Sequence, residues 1–523
     1  MKGGFRDSMT WLHTWTSLVV GWLLFAIFLT GTLVFFRQEI NYWMQPELHG
    51  SDPSQFSLAR VVDRMETMAP RAEQWRISLP NDRERAVEVR WSEPGQQSRR
   101  GEGAHLDAAT GEVLSPRETA GADFLYRFHF ELYGMPREWG RSIVGIASML
   151  MLIALITGII IHKKIFVDFF TLRFSKPQRS WLDAHAVSAV AALPFHLMIT
   201  WSGLLLLAGT LVFWNNEGGG HGGGPGGDRR GGGEQVPDEL PLLSQPLPDI
   251  AALIAQAQQH WQASVSDITI DKPQRPEMKV TLRSAERTSV SAGRGASAEM
   301  TFAADGRLLD EKPLAEGEFS IAGVNNFLGL LHQGRFADVA LRWLYFVCGL
   351  AGTFMTATGL LFWTAKRAKH KLGSVGYELV SGLNVTAIGG LTASIAAFFW
   401  ASRLLPAELA GRELWEVRVF FSCWLAFGLS ALVFRHTRGW LLQLSVAGGL
   451  LLLVPALDQL TSPVSLLEAL AMADSIRLTF DTLAALFGLA LLVLVRHLAT
   501  RQSTAPVRNK RAPKGRAAEV SAP

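Results

Sequence analysis

The sequence predicts a mainly α-helical membrane protein of eight spans, in which the first four spans and two external α+β domains form an internal repeat and four further helices follow. Three observations carry this prediction. Apolar residues gather in runs of about 20, the length that crosses a hydrocarbon core as a helix. The two long segments between runs share one order of helix, strands and turn. Histidines and glycines recur at matching positions around the first four runs.

The 523 residues are 48% hydrophobic and 18% charged, and the apolar residues concentrate at roughly 14–36, 142–162, 189–213, 342–364, 383–403, 416–434, 440–457 and 478–496. The first run is too long for a secretory signal and no small-x-small cleavage site follows it, so it reads as a retained anchor. Basic residues follow alternate runs: Lys163, Lys164, Arg173, Lys176 and Arg179, then Lys366, Arg367, Lys369 and Lys371, then Arg435 and Arg438, then a tail from Arg496 to Arg516. All lie on one side of the bilayer if both termini are cytoplasmic. The pI near 9.1 follows from these flanks and gives no reason to infer a nucleic acid partner.

The expected organisation is an N-terminus and first span at 1–36, an external domain at 37–141, spans two and three with their cytoplasmic loop at 142–213, and a Gly-rich flexible linker at 214–246. A second external domain at 247–341, span four with its basic flank at 342–371, a four-helix extension at 383–498 and a basic tail at 499–523 complete it. In the first domain a helix at 58–69 precedes strand-like WRISLP and AVEVRW and a hairpin turning at Thr110-Gly111. In the second, a helix at 249–261 precedes VSDITID, MKVTLR and a hairpin turning at Asp305-Gly306. The linker run NNEGGGHGGGPGGDRRGGGEQ has too little apolar surface to order itself. His221 within it is a weak metal candidate.

The histidines carry the chemistry. His13 precedes Gly31 by 18 residues and His185 precedes Gly203 by 18; His129 precedes Gly158 by 29 and His332 precedes Gly359 by 27. An imidazole beside lipid is costly unless bonded or ligated. With the termini inside, His13 and His185 begin spans one and three at one face, and His129 and His332 precede spans two and four at the other. A pseudo-twofold axis along the membrane normal brings each pair together, and two such pairs are what two bis-imidazole haems stacked across a bilayer need. The bland alternative is interfacial histidines bonded to headgroups. His196, 11 residues after His185 and two after Pro194, and His162, ending span two, break the symmetry. They read as secondary: propionate contact, a proton path or a further axial site. Each Gly follows a Thr or Ser and permits close approach of a macrocycle or a helix. Arg127, Arg137, Arg141, Arg335 and Arg342 stand near the outer pair as anion ligands or snorkelling cations. Trp139, Trp343 and Tyr345 fit an aromatic belt. Asp458, Glu468, Asp474 and Asp481 cluster around the last external loop, with Asp481 deepest.

The segment LITGIIIHKKIFVDFFTLRFSKPQRSWLDAHAVSAVAALPFHLMITWSGLLL, together with LHQGRF before span four, resembles the PepSY-associated transmembrane family over about residues 8–370. The resemblance implies an iron-regulated inner-membrane protein of the ferric-siderophore reductase type, with two PepSY-like periplasmic domains and a haem b core passing electrons outward. The last 150 residues lie outside it.

The two cysteines, Cys348 and Cys423, fall within spans, and CxxCH is absent, so any haem here is held without thioether links; the resemblance implies haem b, and the two histidine pairs imply two per chain. No Rossmann fingerprint, Walker A sequence, flavin pattern or HExxH occurs. Electrons must therefore come from a separate cytoplasmic reductase or from membrane quinol, and the residues do not choose between them. The rival readings are a non-enzymatic PepSY-type binding or regulatory protein, a siderophore transport accessory, or a transporter, for which the repeat holds few midplane charges.

Overall fold

The computed structural model describes residues 4–93, 101–162, 177–211, 246–285, 297–313, 321–334 and 336–503. Nearly all of the expected linker, with His221, lies outside the described residues. So do Lys163, Lys164, Arg173, Lys176, Arg335 and the tail beyond residue 503.

The first half runs α1 (Phe5–Val34), α2 (Arg37–Met44), α3 (Leu58–Met68), β1 (Gln74–Ser78), β2 (Val87–Ser92), β3 (Glu102–Leu106), β4 (Val113–Leu114), α4 (Gly121–Glu131) and α5 (Arg137–Ile161). The second half repeats it. Helices α6 (Pro177–Ala191) and α7 (Leu193–Leu211) stand where α1 stands. Helix α8 (Ile250–Trp261) precedes β5 (Val265–Asp271), β6 (Lys279–Ser284), β7 (Glu299–Ala303) and β8 (Leu308–Lys312), and α9 (Ile321–Gln333) leads into α10 (Val339–Lys371). The break between α6 and α7 falls at Ala192, two residues before Pro194, which has no N–H to continue the ladder.

The remainder is helical: α11 (Val375–Asn384), a π turn at Val385–Gly390, α12 (Leu391–Leu404), α13 (Arg412–Val433), α14 (Thr437–Leu452), α15 (Val454–Thr461), α16 (Leu466–Ala471) and α17 (Ser475–Ser503). Among the described residues seven helices are long and apolar enough to cross a membrane, or eight if α14 and α15, bent by 42° at their junction, make one span.

Helices α1, α5, α7 and α10 close a four-helix bundle. Helix α1 packs on α5 and α10, α7 packs on α5, and α6 packs on α10. Val20, Leu24, Met151, Leu155 and Met355 fill its interior. At one end of the bundle all eight strands form a single antiparallel sheet in the order β4-β3-β2-β1-β5-β6-β7-β8. The two domains expected at 37–141 and 247–341 therefore share one sheet. They join through β1 and β5, with Trp75 opposite Ile270 and Ile77 opposite Ile268. Alternation sends Trp75, Ile77, Val89, Ile268, Ile270 and Phe302 to one face, where Val61 and Met65 of α3 and Leu253 and Ala257 of α8 cover them in one core. The two hairpins turn on glycines in the left-handed region, Gly111 at φ +69° and Gly306 at φ +82°. In the first, the Asp107 carboxylate accepts the N–H groups of Ala109 and Thr110.

The last helices are fixed to the rest by an apolar cluster, in which Phe398, Phe420 and Leu457 join Trp43, Phe124 and Leu125, and by buried charge. Arg403 donates to Asp458 Oδ1 at 2.6 Å, to the Trp43 carbonyl at 2.6 Å and to Thr461 Oγ1 at 2.9 Å, while Arg477 Nε meets the other Asp458 oxygen. Arg412 pairs with Glu416, whose Oε2 accepts from Thr119 Oγ1 and the Ala120 N–H. The carboxylates and guanidiniums of these pairs are fully enclosed. Removing one partner of such a pair costs about 3–5 kcal/mol because the other stays buried. Toward the opposite end, Asn384 accepts from Trp22 Nε1 at 2.8 Å and donates to the Leu360 carbonyl, tying α11 to α1 and α10.

His49 closes this junction. It is buried, its Nε2 bonds the Tyr42 carbonyl at 3.0 Å and its Nδ1 bonds Ser462 Oγ at 2.9 Å. Burial, with Arg403 and Arg477 nearby, holds its pKa well below the ordinary 6.5. The unfolded chain therefore binds more protons in the window below about pH 6.5, and stability is lost as pH falls through it, by at most about 1.4 kcal/mol per unit. Thermal midpoints of the solubilised protein should fall between pH 7.5 and 5, and His49→Gln should flatten the dependence. Equal slopes for the two proteins would place the sensitivity in another group.

Candidate functional site

The four repeated histidines meet as two pairs. The His13 and His185 rings stand 6.3 Å apart, centroid to centroid, and the His129 and His332 rings 6.2 Å apart. Each pair takes one residue from each half. The two pairs sit at opposite ends of the bundle. His13 is on α1, and His129 reaches α1 at Ile27, 14 residues further, about 21 Å at 1.5 Å per residue.

Each ring is seated by the neighbouring helix of its own half. His13 Nδ1 bonds the Ala154 carbonyl of α5 at 2.9 Å, and His129 Nδ1, from α4, bonds the Ile27 carbonyl of α1 at 2.8 Å. In the second half His185 Nδ1 bonds the Met355 carbonyl of α10 at 2.8 Å, and His332 Nδ1 bonds Ser202 Oγ of α7 at 3.0 Å, beside the Ile199 carbonyl. Ala154, Ile27, Met355 and Ile199 each lie four residues before one of the repeated glycines. Those glycines hold the rings: a Cβ would stand 2.5 Å from His129 at Gly31, 2.9 Å from His332 at Gly203, 3.1 Å from His185 at Gly359 and 3.4 Å from His13 at Gly158. The close approach the sequence pointed to is thus that of an imidazole. It also runs crosswise, since the ring on Gly31 belongs to His129 and the ring on Gly158 to His13.

The Thr or Ser before each glycine turns its hydroxyl back on its own helix. Thr30 donates to the Ala26 carbonyl, Ser202 to Met198, Thr157 to Ile153 and Thr358 to Phe354, at 2.6–2.7 Å. With Nδ1–H occupied by a carbonyl, the tautomer is set and Nε2 carries the free lone pair. Among the described residues the Nε2 atoms of the four rings make no hydrogen bond, and no three His, Cys, Asp or Glu side chains gather as a metal site. Two imidazoles leave a transition ion short of ligands, and a planar macrocycle supplies four more in the plane between them. A metal–nitrogen distance of about 2 Å on each side, plus about 1.2 Å from nitrogen to ring centroid, gives a separation of about 6.4 Å, close to both pairs. The residues present therefore fit a bis-imidazole haem at each end.

The other sequence candidates lie elsewhere. His196 is buried in α7, edge-on to Phe28 at 6.0 Å, and among the described residues it has neither a hydrogen bond of good geometry nor a partner imidazole. His162 caps α5, its N–H bonded to the Gly158 carbonyl at 3.2 Å. Arg137 and Arg141 both pair with Glu131 and Arg342 pairs with Glu39, so carboxylates already hold these cations, while Arg127 is exposed. Tyr345 turns inward against Phe35 and Phe195, Trp343 packs on Phe36, and Trp139 is exposed. Arg403, Arg412, Glu416 and Arg477 were not singled out from sequence. Their only signal was position, charged residues at span ends beside carboxylates that were noticed.

The profile of a family described as the PepSY-associated TM region matches residues 10–366, about two thirds of the chain. No curated protein matches.

The glycine distances give a graded expectation. Gly31→Ala drives a methyl into His129 and Gly203→Ala into His332, so both should disturb the pair at the sheet end, Gly31→Ala the more. Gly158→Ala meets His13 at ordinary contact distance and should leave its pair nearly intact. Imidazole signals in isotope-edited NMR of the His-labelled protein read the order. Equal disturbance by Gly31→Ala and Gly158→Ala would show that the glycines do not seat the rings.

Proposed function

This chain belongs to the PepSY-associated TM family, whose matched region holds all four paired histidines, and on that basis we propose that it is an inner-membrane di-haem b oxidoreductase that reduces ferric siderophore on the sheet side. The observation that carries the reading is the pair geometry: two facing imidazole pairs, 6.2 and 6.3 Å between centroids, one at each end of a membrane-spanning bundle. Haem b supplies a one-electron Fe(III)/Fe(II) couple. The two imidazoles of each pair would hold it, which would favour electron transfer over oxygen binding.

The protein's own part is positional. The Nδ1–H bonds to Ala154, Ile27 and Met355 and to Ser202 fix each ring's rotation and raise the basicity of Nε2. The glycines let the rings sink between helices, where bundle packing limits water. Basic residues support the orientation. Arg6 lies at the start of α1, Arg179 in α6, Lys366 to Lys371 at the end of α10, Arg435 between α13 and α14 and Arg438 at the start of α14, all at the end away from the sheet. By the positive-inside rule this distribution supports a periplasmic sheet. There a ferric chelate reaches the outer pair without crossing lipid. One electron suffices to release the metal, because hard oxygen chelators hold Fe(III) far more tightly than Fe(II).

A pyridine haemochrome assay should give two haems per chain with a low-spin b-type reduced spectrum. His13→Ala or His185→Ala should remove the haem of the cytoplasmic end, and His129→Ala or His332→Ala that of the sheet end, each lowering the content to about one. Anaerobic addition of a ferric siderophore to the dithionite-reduced protein should reoxidise it with Fe(II) appearing in step. A colourless, folded preparation from haem-replete cells would instead favour the non-enzymatic binding reading. Haem without reoxidation would direct attention to another periplasmic acceptor.

A further inference from the structure

Helices α14 and α17 touch backbone to backbone where two glycines face: a Cβ on Gly488 would stand 2.7 Å from the Gly448 carbonyl oxygen and 2.4 Å from the Leu452 nitrogen. Just beyond, α14 ends and α15 turns away by 42°, with Pro455 near its start. The divergence opens a cleft of about 350 Å³ lined by Leu452, Pro455, Leu466, Leu478 and Leu489, with Asp481 among its few polar residues. Leu486 and Leu489 at its wall are 57% and 48% exposed, on the outer surface of a membrane helix, so a ligand enters from the lipid phase.

Asp481 is only 4% exposed. Its Oδ1 accepts from Trp43 Nε1 at 2.9 Å, and its Oδ2 is enclosed beside Asp458 without a hydrogen bond of good geometry among the described residues. One turn earlier Arg477 spends Nε on Asp458 and its Nη1 and Nη2 are unpartnered. A carboxyl group among the lining residues of an apolar, lipid-entered cleft favours a ligand that is flat and apolar but carries a proton donor. A lipid acyl chain offers no donor; a phenolic O–H on an isoprenoid ring does.

We propose that this cleft binds the head group of a membrane hydroquinone and that Asp481 accepts its phenolic proton. The inference rests on the electron-transfer reading above. Oxidation breaks two O–H bonds, turns two C–O bonds into C=O and releases two electrons and two protons. The electrons leave one at a time, each reducing one ferric haem iron of that reading to the ferrous state. The first proton passes to the Asp481 carboxylate and leaves it toward the sheet side, which frees the carboxylate for the second. Ring contacts link the cleft with the outer pair: Phe480 on Trp43 at 4.4 Å, Phe399 on Phe480 at 5.3 Å, Phe398 on Phe399 at 6.1 Å, Phe124 on Phe398 at 5.3 Å and Phe128 on Phe124 at 5.9 Å, next to His129.

The test uses the full-length protein in lipid nanodiscs. A photoreactive azidobenzoquinone with an isoprenoid tail should label peptides of α15 to α17, and decyl-hydroquinone should displace it while oleic acid does not. Labelling is read whether or not haem is bound. Anaerobic haem reduction by decyl-hydroquinone should slow at least tenfold in Asp481→Asn, which keeps an acceptor for Trp43 but takes no proton, and in Leu489→Trp, which fills the cleft. Both variants should keep a wild-type dithionite-reduced spectrum. Label elsewhere, displacement by oleic acid as effective as by hydroquinone, or unchanged reduction in both variants would overturn the proposal and leave the haem reading standing. Loss of the dithionite-reduced spectrum in the wild-type protein would instead remove the haem reading itself.

Discussion

The structure depends on a bond made four times, an imidazole Nδ1–H reaching the helix beside it one turn before a glycine. Within a half the bond is reciprocal. Helix α1 offers His13 to α5 and receives His129 from the segment leading into α5, and α6, α7, α9 and α10 do the same. An imidazole can lie this deep only if its polar hydrogen is satisfied, and it reaches a helical carbonyl only where no Cβ intervenes. One residue type thus fixes helix register, ring orientation and the identity of the nitrogen left over. The rings meet in pairs, one from each half.

Much of this was legible in the residues. The repeat, the membership of each histidine pair and the helix–hairpin order of both external segments follow from spacing, because local periodicity and duplicated positions are written along the chain. The partner of each glycine was not. Spacing joins His13 to Gly31, whereas the fold sets His13 on Gly158, and only packing decides which helix faces which. The β1–β5 seam was equally silent. Both strands read as members of separate domains, and nothing local records that Trp75 lies opposite Ile270. Arg403, Arg412, Glu416 and Arg477 looked like interfacial charges because their partners lie far away in sequence, as with Arg403 and Trp43.

The helices beyond the family match explain the aromatic and charged residues that the repeat leaves over. Trp43, just after the first span, stacks on Phe480 and bonds both Arg403 and Asp481. Buried ion pairs are a weak source of net stability and a strong source of specificity. Here they hold α12, α15 and α17 in one register against α2, where an apolar interface between lipid-facing helices could slide. That fixed register keeps α15 bent from α14 and Asp481 against the cleft.

The seam between β1 and β5 has a consequence for how such a protein is assembled. Each half brings one ring to each pair and four strands to the sheet, and like strands meet antiparallel at the centre. Two copies of a chain half as long would build the same sheet and both pairs as a homodimer, held only by mass action. Covalent union makes the arrangement independent of concentration. It also releases one half to change without its twin: α7 carries a buried His196 where the corresponding position of α1 has none, and the C-terminal end of α5 carries His162 where α10 has Trp363.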